Sequence, residues 1–145
     1  MLLFCFIGYY NIGDVMEKLK EYLIVFSSGG IIYSLIEVIF RGFTHWTMTI
    51  TGGAALLIIY IVNIKIKTKS LIVRCLAGSA IITALEFIVG CIVNRGLHMQ
   101  VWDYSEEKYN VLGQICPLFS VCWFLLCIPA TLLSFFFRRK LGENR

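Results

Sequence analysis

The sequence predicts an all-α, polytopic membrane protein in which four transmembrane helices form a bundle. The first observation is composition: 59% of the 145 residues are hydrophobic and 15% are charged, whereas an average soluble domain is about 25% charged. The second is that four stretches approach the ~20 apolar residues needed to cross a bilayer core. These observations exclude an ordinary soluble domain and a disordered chain, because so short a chain cannot bury that much apolar surface. The net charge of +4 is not the excess of a nucleic-acid-binding module, so no nucleic-acid partner is expected.

The four spans are separated by polar or mixed segments. We expect them at about residues 22–40, 48–64, 71–93 and 115–137. A fifth apolar run, residues 2–10, is too short to span and lacks the flanking signals of a signal peptide. We expect Met16 to be the functional start, because MEKLKEYL forms a basic lead-in to the first span. Residues 1–15 are then an extension that need not be translated, and residues 16–145 form one transmembrane domain.

The distribution of Lys and Arg predicts the orientation, because basic residues are retained on the cytoplasmic side of a membrane. If the N-terminus is cytoplasmic, three basic residues lie outside: Arg41, Arg95 and Lys108. The ten at the inner side are Lys18, Lys20, Lys65, Lys67, Lys69, Arg74, Arg138, Arg139, Lys140 and Arg145. We therefore expect a multi-pass protein of the cytoplasmic membrane with both termini inside the cell, where the lipid bilayer is its first partner.

A two-helix unit occurs twice in the pattern. The string GGIIYSLIE at residues 29–37 aligns with GSAIITALE at residues 78–86. Both the first and the third span would run in the same direction, so the units would be parallel repeats related by an axis along the membrane normal. The match is short, and small residues in membrane helices also align by chance, so both interpretations stay open.

Two carboxylates inside predicted spans are the first candidates for function. An ionised carboxylate within a membrane is costly and faces a partner or a cavity. Arg41 lies one helical turn after Glu37, on the same face, whereas Glu86 has no such neighbour. Ser34 and Thr83 stand three residues before the two glutamates. One interpretation is a set of buried ion pairs that orient helices. The other is a substrate- or ion-binding site between the repeats.

The long outer connection, residues 94–114, carries the second group of candidates. It contains Trp102, Tyr104 and Tyr109, aromatic residues that suit a membrane interface. It is interpreted either as a solvated loop with an aromatic anchor or as a partly re-entrant lid over a polar cavity.

The remaining reactive side chains form no catalytic or metal-binding pattern. His45 and His98 lie near the two glutamates in depth, but no metal-binding spacing links them, so neither a metal nor another cofactor is expected. The six cysteines form no C-x-x-C pair, which argues against a disulfide framework; a single bridge between Cys91 and Cys116 stays open. No nucleophile–base pattern and no G-x-x-x-x-G-K-[ST] motif occurs, so an enzyme is not expected.

Three further features are interpreted structurally. Arg74, near the inner boundary, is expected to reach lipid phosphates as an anchor. Pro129 is expected to kink the fourth span. The glycine pairs at 29–30 and 52–53 allow close helix packing, and the second pair alternatively marks a broken helix that lines a cavity.

Several strings together resemble a known family. EVIFRGFTHWTM begins at Glu37, LEFIVGCIVN at Leu85, VWDYS at Val101 and NVLGQICPLFS at Asn110. In this order they resemble the small bacterial membrane proteins of the putative ABC-transporter type IV family, known from Firmicutes and their mobile elements. The resemblance covers about residues 16–139. Matching positions add Asp103, Asn110 and Gln114 to the lid candidates.

The resemblance implies a permease-like transporter component without naming a substrate. Such a component would need a separate ATPase subunit or a second copy of itself, as a homodimer. The expected cavity is polar, opens outward, is lined by Glu37, Glu86, Ser34 and Thr83 and is covered by residues 102–104. The alternative is a structural or regulatory protein, or a holin-like one, without transport activity.

Overall fold

The computed structural model describes residues 12–66 and 70–142. Four α-helices follow one another: α1 (Ile12–Arg41), α2 (Trp46–Lys65), α3 (Leu71–Gly90) and α4 (Pro117–Leu141). A π-helical segment, Cys91–Gly96, extends α3, and residues 97–116 connect it to α4. The described ranges contain no strand, and each of the four helices is long and apolar enough to cross a membrane. The predicted all-α fold with four spans is therefore confirmed.

The first helix begins earlier than the expected span. Its 30 residues correspond to about 45 Å of helix, whereas a bilayer core is about 30 Å thick. Residues 12–15, which we assigned to an extension, form the first turn of α1. Residues 1–11 lie outside the described part of the chain. Residues 12–20 are exposed, so this end of α1 projects from the bundle.

Local signals set the other helix starts. The Nδ1 atom of His45 accepts the N–H of Thr47 at 3.4 Å, which caps α2. The Oγ atom of Ser70 accepts the N–H of Val73 at 3.5 Å before α3. Pro117 occupies the first turn of α4, where a residue without an N–H loses no helical hydrogen bond.

Helix α2 is the centre of the bundle. It packs against α1, α3 and α4, and α3 packs against α4. In α2, 56% of the most apolar window is buried, compared with 22% in α1 and in α4. The exposed sides of α1 and α4 are apolar, as expected of surfaces that face lipid. We call the end of the bundle with residues 42–45 and 97–116 the loop end, and the opposite end, with Lys65 and Arg138, the basic end.

Glycines bring the two helices of each pair close together. A Cβ atom on Gly29 would lie 2.6 Å from Cβ of Leu56, and one on Gly52 would overlap the side chain of Tyr33. Between α3 and α4, a Cβ atom on Gly78 would lie 2.6 Å from Sγ of Cys127. The packing role expected for the glycine pairs is therefore present at the α1–α2 contact.

Aligned hydroxyl groups make equivalent contacts in the two halves. Ser34 Oγ in α1 is hydrogen-bonded to Thr49 Oγ1 in α2 at 2.7 Å. Thr83 Oγ1 in α3 is hydrogen-bonded to Ser120 Oγ in α4 at 3.2 Å. Each acceptor or donor on the second helix is the fourth residue of that helix. Such matched contacts support the interpretation of two parallel two-helix units.

Arg74 is not the lipid anchor we expected. Its residue is 9% exposed, and its guanidinium donates to the carbonyl oxygens of Asn63 at 2.7 Å and Ile66 at 3.0 Å. It therefore binds the last turn of α2, whose carbonyl groups have no helical partner.

Two other local expectations are corrected. Helix α2 runs unbroken through residues 52–53, so the broken helix is absent. Cys91 and Cys116 are free thiols, so the bridge considered between them is not formed. Helix α4 continues through Pro129.

Candidate functional site

Glu86 is a buried carboxyl group at the meeting point of α3, α4 and the long connection. It is 2% exposed. Its Oε2 atom accepts the indole N–H of Trp123 at 2.6 Å, and its Oε1 atom accepts the hydroxyl of Tyr104 at 3.5 Å. Among the residues that the structure describes, no basic side chain forms an ion pair with it. Its partners are therefore two neutral donors, neither of which supplies a compensating charge.

Aromatic rings surround this carboxyl group. The ring of Tyr33 in α1 stacks on Trp123, with centroids 5.9 Å apart. The ring of Tyr104 stacks on Phe119, with centroids 4.4 Å apart. Burial and the nearby Glu86 raise the pKa of the Tyr104 hydroxyl above its usual range, so this hydroxyl stays protonated and able to donate.

A cavity of about 190 Å³ opens beside Glu86. All four helices contribute to its wall, which extends from Glu86 and Trp123 near the loop end to Leu133 on the α4 side. The wall is almost wholly apolar, with Thr51 and Tyr33 among its few residues that carry a polar group. Glu86 is the acidic residue among those that line it. The arrangement is an apolar chamber with one carboxyl group at its end.

The four residues expected to line a polar cavity are not all at this chamber. Glu86 is there, but the chamber is apolar and not polar. Ser34 and Thr83 spend their hydroxyl groups on the contacts within each helix pair. Glu37 lies in a separate cluster, described next.

Glu37 forms the ion pair that its spacing to Arg41 predicts. An NH1 proton of Arg41 is donated to Glu37 Oε1 at 2.5 Å, and the Thr44 hydroxyl donates to Oε2 at 2.5 Å. Arg41 also donates to the carbonyl oxygen of Val101 at 2.5 Å and lies over the ring of Phe43. The pair therefore links the end of α1 to the long connection, which is a structural task.

The long connection is packed onto the end of α3 and not simply solvated. Asn94 organises it: its Oδ1 atom accepts the N–H of Val101 at 2.7 Å, and its Nδ2 atom donates to Trp102 O and to Gln114 Oε1 at 2.9 and 2.8 Å. The indole N–H of Trp102 donates to the carbonyl oxygen of Gln114 at 3.1 Å. Trp102 and Gln114 are 6% and 4% exposed. With Tyr104 on Glu86, this segment closes the loop end of the bundle.

Two lid candidates shape the turn without reaching the chamber. Asp103 is exposed, and its carboxylate accepts the hydroxyl and the N–H of Ser105, which lowers its pKa. Asn110 donates to the carbonyl oxygens of Ser105 and Glu107, and its Oδ1 atom accepts the N–H of Gly113 at 3.0 Å. Both residues therefore fix the backbone that presents Tyr104.

Sequence reasoning missed three residues that build the site. Tyr33 and Trp123 read as ordinary interface or core aromatics. Asn94 read as the first residue of a loop, although an amide that ends an apolar span is itself a signal. Within the described ranges, no three His, Cys, Asp or Glu side chains come together as a metal site would require.

The chain matches one protein-family model. The model, described as Putative ABC-transporter type IV, matches residues 4–139 and so begins before Met16. Comparisons with curated proteins and with solved structures return no match. Since the match spans nearly the whole chain and the four helices suit a membrane, this multi-pass membrane protein belongs to the Putative ABC-transporter type IV family.

Proposed function

We propose that the chain is a permease-like component of a transporter, and that its chamber binds a small apolar molecule with a positive charge. The observation that carries the proposal is Glu86, a buried carboxyl group at the end of an apolar chamber, bonded to two neutral donors. A carboxylate at membrane depth is stabilised by an opposite charge. A cationic substrate would supply that charge when it enters.

The walls of the chamber support the apolar part of this substrate class. Leu56, Ile59 and Ile82 line it with hydrocarbon, which favours binding of an apolar body. The faces of Tyr33 and Trp123 suit a cation through their ring quadrupoles. The volume of about 190 Å³ is close to the ~150 Å³ of a cavity that holds benzene. A single ring with a small ammonium group matches this size.

The proposed mechanism gives each neighbour of Glu86 a role. The indole N–H of Trp123 occupies Glu86 in the empty state, and an entering cation competes for the same carboxyl group. Tyr104 and Trp102 cover the loop end, so their segment acts as the lid. Transport then needs an energy source. A separate ATPase subunit is the partner we propose, and a second copy of the chain is the alternative. The chain itself is proposed to have no enzymatic activity.

Phenyltrimethylammonium tests the proposal against its neutral counterpart, tert-butylbenzene, which has nearly the same shape. Binding to the purified full chain in detergent is measured by quenching of tryptophan fluorescence. We expect the cation to bind, and E86Q to weaken it at least tenfold while tert-butylbenzene binds both proteins equally. The matched control is E106Q, which removes an exposed carboxylate of the same connection. Equal cation binding by E86Q and the parent chain would contradict the proposal.

Transport is tested separately, in membrane vesicles that contain the chain and its native partners. Accumulation of phenyltrimethylammonium should require the chain and be lost in E86Q. Crosslinked purification from the native membrane identifies whether an ATPase subunit accompanies it. Binding without accumulation would retain the chamber and reject the permease role.

The structural alternative keeps one specific support. Glu37, Ser34 and Thr83 all spend their polar groups on helix–helix or helix–loop contacts. A structural, regulatory or holin-like protein would therefore bind neither probe. A holin-like protein would in addition be toxic on modest expression.

A further inference from the structure

A second cavity lies at the basic end of the bundle, away from Glu86. Its volume is about 240 Å³, and its wall combines polar and apolar side chains. Helices α2, α3 and α4 contribute Tyr60 and Asn63, Arg74, and Ser134 and Arg138, respectively. Two arginines from different helices thus face one cavity.

The first arginine is held rigidly. Arg74 donates to the carbonyl oxygens of Asn63 and Ile66 and, at 3.2 Å, to Asn63 Oδ1. Its guanidinium plane also lies 5.1 Å from the ring centroid of Phe135. These contacts fix the orientation of its positive charge beside the cavity.

The second arginine lies next to a carboxylate that does not line the cavity. Arg138 is within hydrogen-bonding reach of the Tyr60 hydroxyl, and that hydroxyl donates to Glu21. Glu21, in α1, is buried behind Tyr60 and is not part of the cavity wall. The groups that do line the cavity are therefore mostly donors and cations.

Asn63 adds a donor without an acceptor. The residue is 6% exposed, and its Nδ2 atom has no hydrogen-bond partner in the described part of the chain. Its Oδ1 atom accepts from Arg74, so the amide cannot be turned over without opposing two donors. A buried amide N–H of this kind calls for an acceptor.

We infer that this cavity binds a phosphate group. Phosphate supplies the acceptor that Asn63 lacks, and the guanidinium fork of arginine matches its oxygens. Basic cavities between transmembrane helices at the cytoplasmic side suit anionic lipid headgroups, and our expected topology places the basic end there. The phosphate belongs either to a lipid headgroup or to a soluble phosphate. This site does not depend on the cation proposed at Glu86.

The test uses the purified full chain in detergent, titrated with phosphatidylglycerol, phosphatidylcholine and inorganic phosphate and followed by calorimetry. Phosphatidylglycerol should bind at least tenfold more tightly than phosphatidylcholine, whose choline cation opposes the arginines. Phosphatidylglycerol binding with no phosphate binding assigns the site to a lipid headgroup, and phosphate binding in the same concentration range assigns it to a soluble phosphate. Failure of both phosphatidylglycerol and inorganic phosphate to bind would overturn the inference.

Matched variants locate the site. R138Q removes an arginine that lines the cavity, whereas R139Q removes the same charge from the next position, which does not line it. N63D keeps an oxygen for Arg74 but replaces the amide donor. We expect at least tenfold weaker binding in R138Q and N63D and at most a threefold change in R139Q. Equal losses in R138Q and R139Q would show diffuse surface attraction and reject the site. Unchanged melting temperatures without ligand confirm that each variant is folded.

Discussion

Glu37 and Glu86 are aligned in sequence, yet the residue four positions later decides what each can do. After Glu37 that residue is Arg41, which pairs with it. After Glu86 it is Gly90, and a Cβ atom there would overlap Gln114 Oε1 and lie 2.9 Å from the Trp102 ring. The second unit thus exchanges a neutralising charge for space that the long connection fills. Glu86 is left with neutral donors for this reason.

Gly90→Ala should displace the long connection from the end of α3. The added methyl group would overpack the contact with Gln114 and Trp102, which costs about 1–3 kcal/mol of unfolding free energy. Limited proteolysis within residues 97–116 should accelerate accordingly. The control is Gly96→Ala, where the nearest atom is 3.5 Å away. Equal protection of both variants would show that Gly90 does not hold the connection in place.

The Glu37–Arg41 pair should behave as a structural unit. E37L leaves a half-buried guanidinium and the Thr44 hydroxyl without their acceptor, and should cost about 1–3 kcal/mol of unfolding free energy in detergent. The double variant E37L/R41M should lose about 1 kcal/mol, mainly the bond to Val101. A double variant less stable than E37L would contradict this role.

At the scale of elements, the four helices follow from local sequence and the connection does not. Apolar length and caps act within a few residues, so the spans were predictable to within a few residues except at the start of α1. Asn94 and Gln114 meet across 20 positions, and no local pattern encodes such a contact. The polar cavity was wrong for the same kind of reason. Hydroxyl groups on membrane helices are satisfied by whichever neighbour packs closest.

The α1–α2 contact should be the most sensitive helix contact. Gly52→Ala forces a methyl group onto Tyr33, and overpacking costs about 1–3 kcal/mol. Because Tyr33 stacks on Trp123, cation binding beside Glu86 should also weaken. Ile50→Ala removes more atoms from the same helix at a 51% exposed position, where lipid replaces the lost contacts.

Unfolding of both variants in detergent and phenyltrimethylammonium binding are measured together. A Gly52→Ala protein that unfolds like Ile50→Ala would show that α1 and α2 do not meet at this glycine.

At the scale of the whole molecule, four spans place the two chain ends on the same side of the membrane. The side itself depends on charge and not on packing. The helix pairing in the bundle would be identical in either orientation, so the sequence alone carries this prediction. Arg138, Arg139 and Lys140 end α4, and Lys65 ends α2 at the same end of the bundle. The loop end carries Arg41 and Arg95, of which Arg41 is paired.

Fusion reporters test this orientation. Green fluorescent protein at the C-terminus should fluoresce, and alkaline phosphatase at the same place should be inactive, because that end is expected in the cytoplasm. Phosphatase inserted between Glu106 and Glu107 should be active. Replacing Arg138, Arg139 and Lys140 together with Gln should reduce this bias and produce a mixed population, whereas R138Q alone should not. Uniform phosphatase activity at the C-terminus of the parent chain would reverse the topology and place the phosphate site on the outer face.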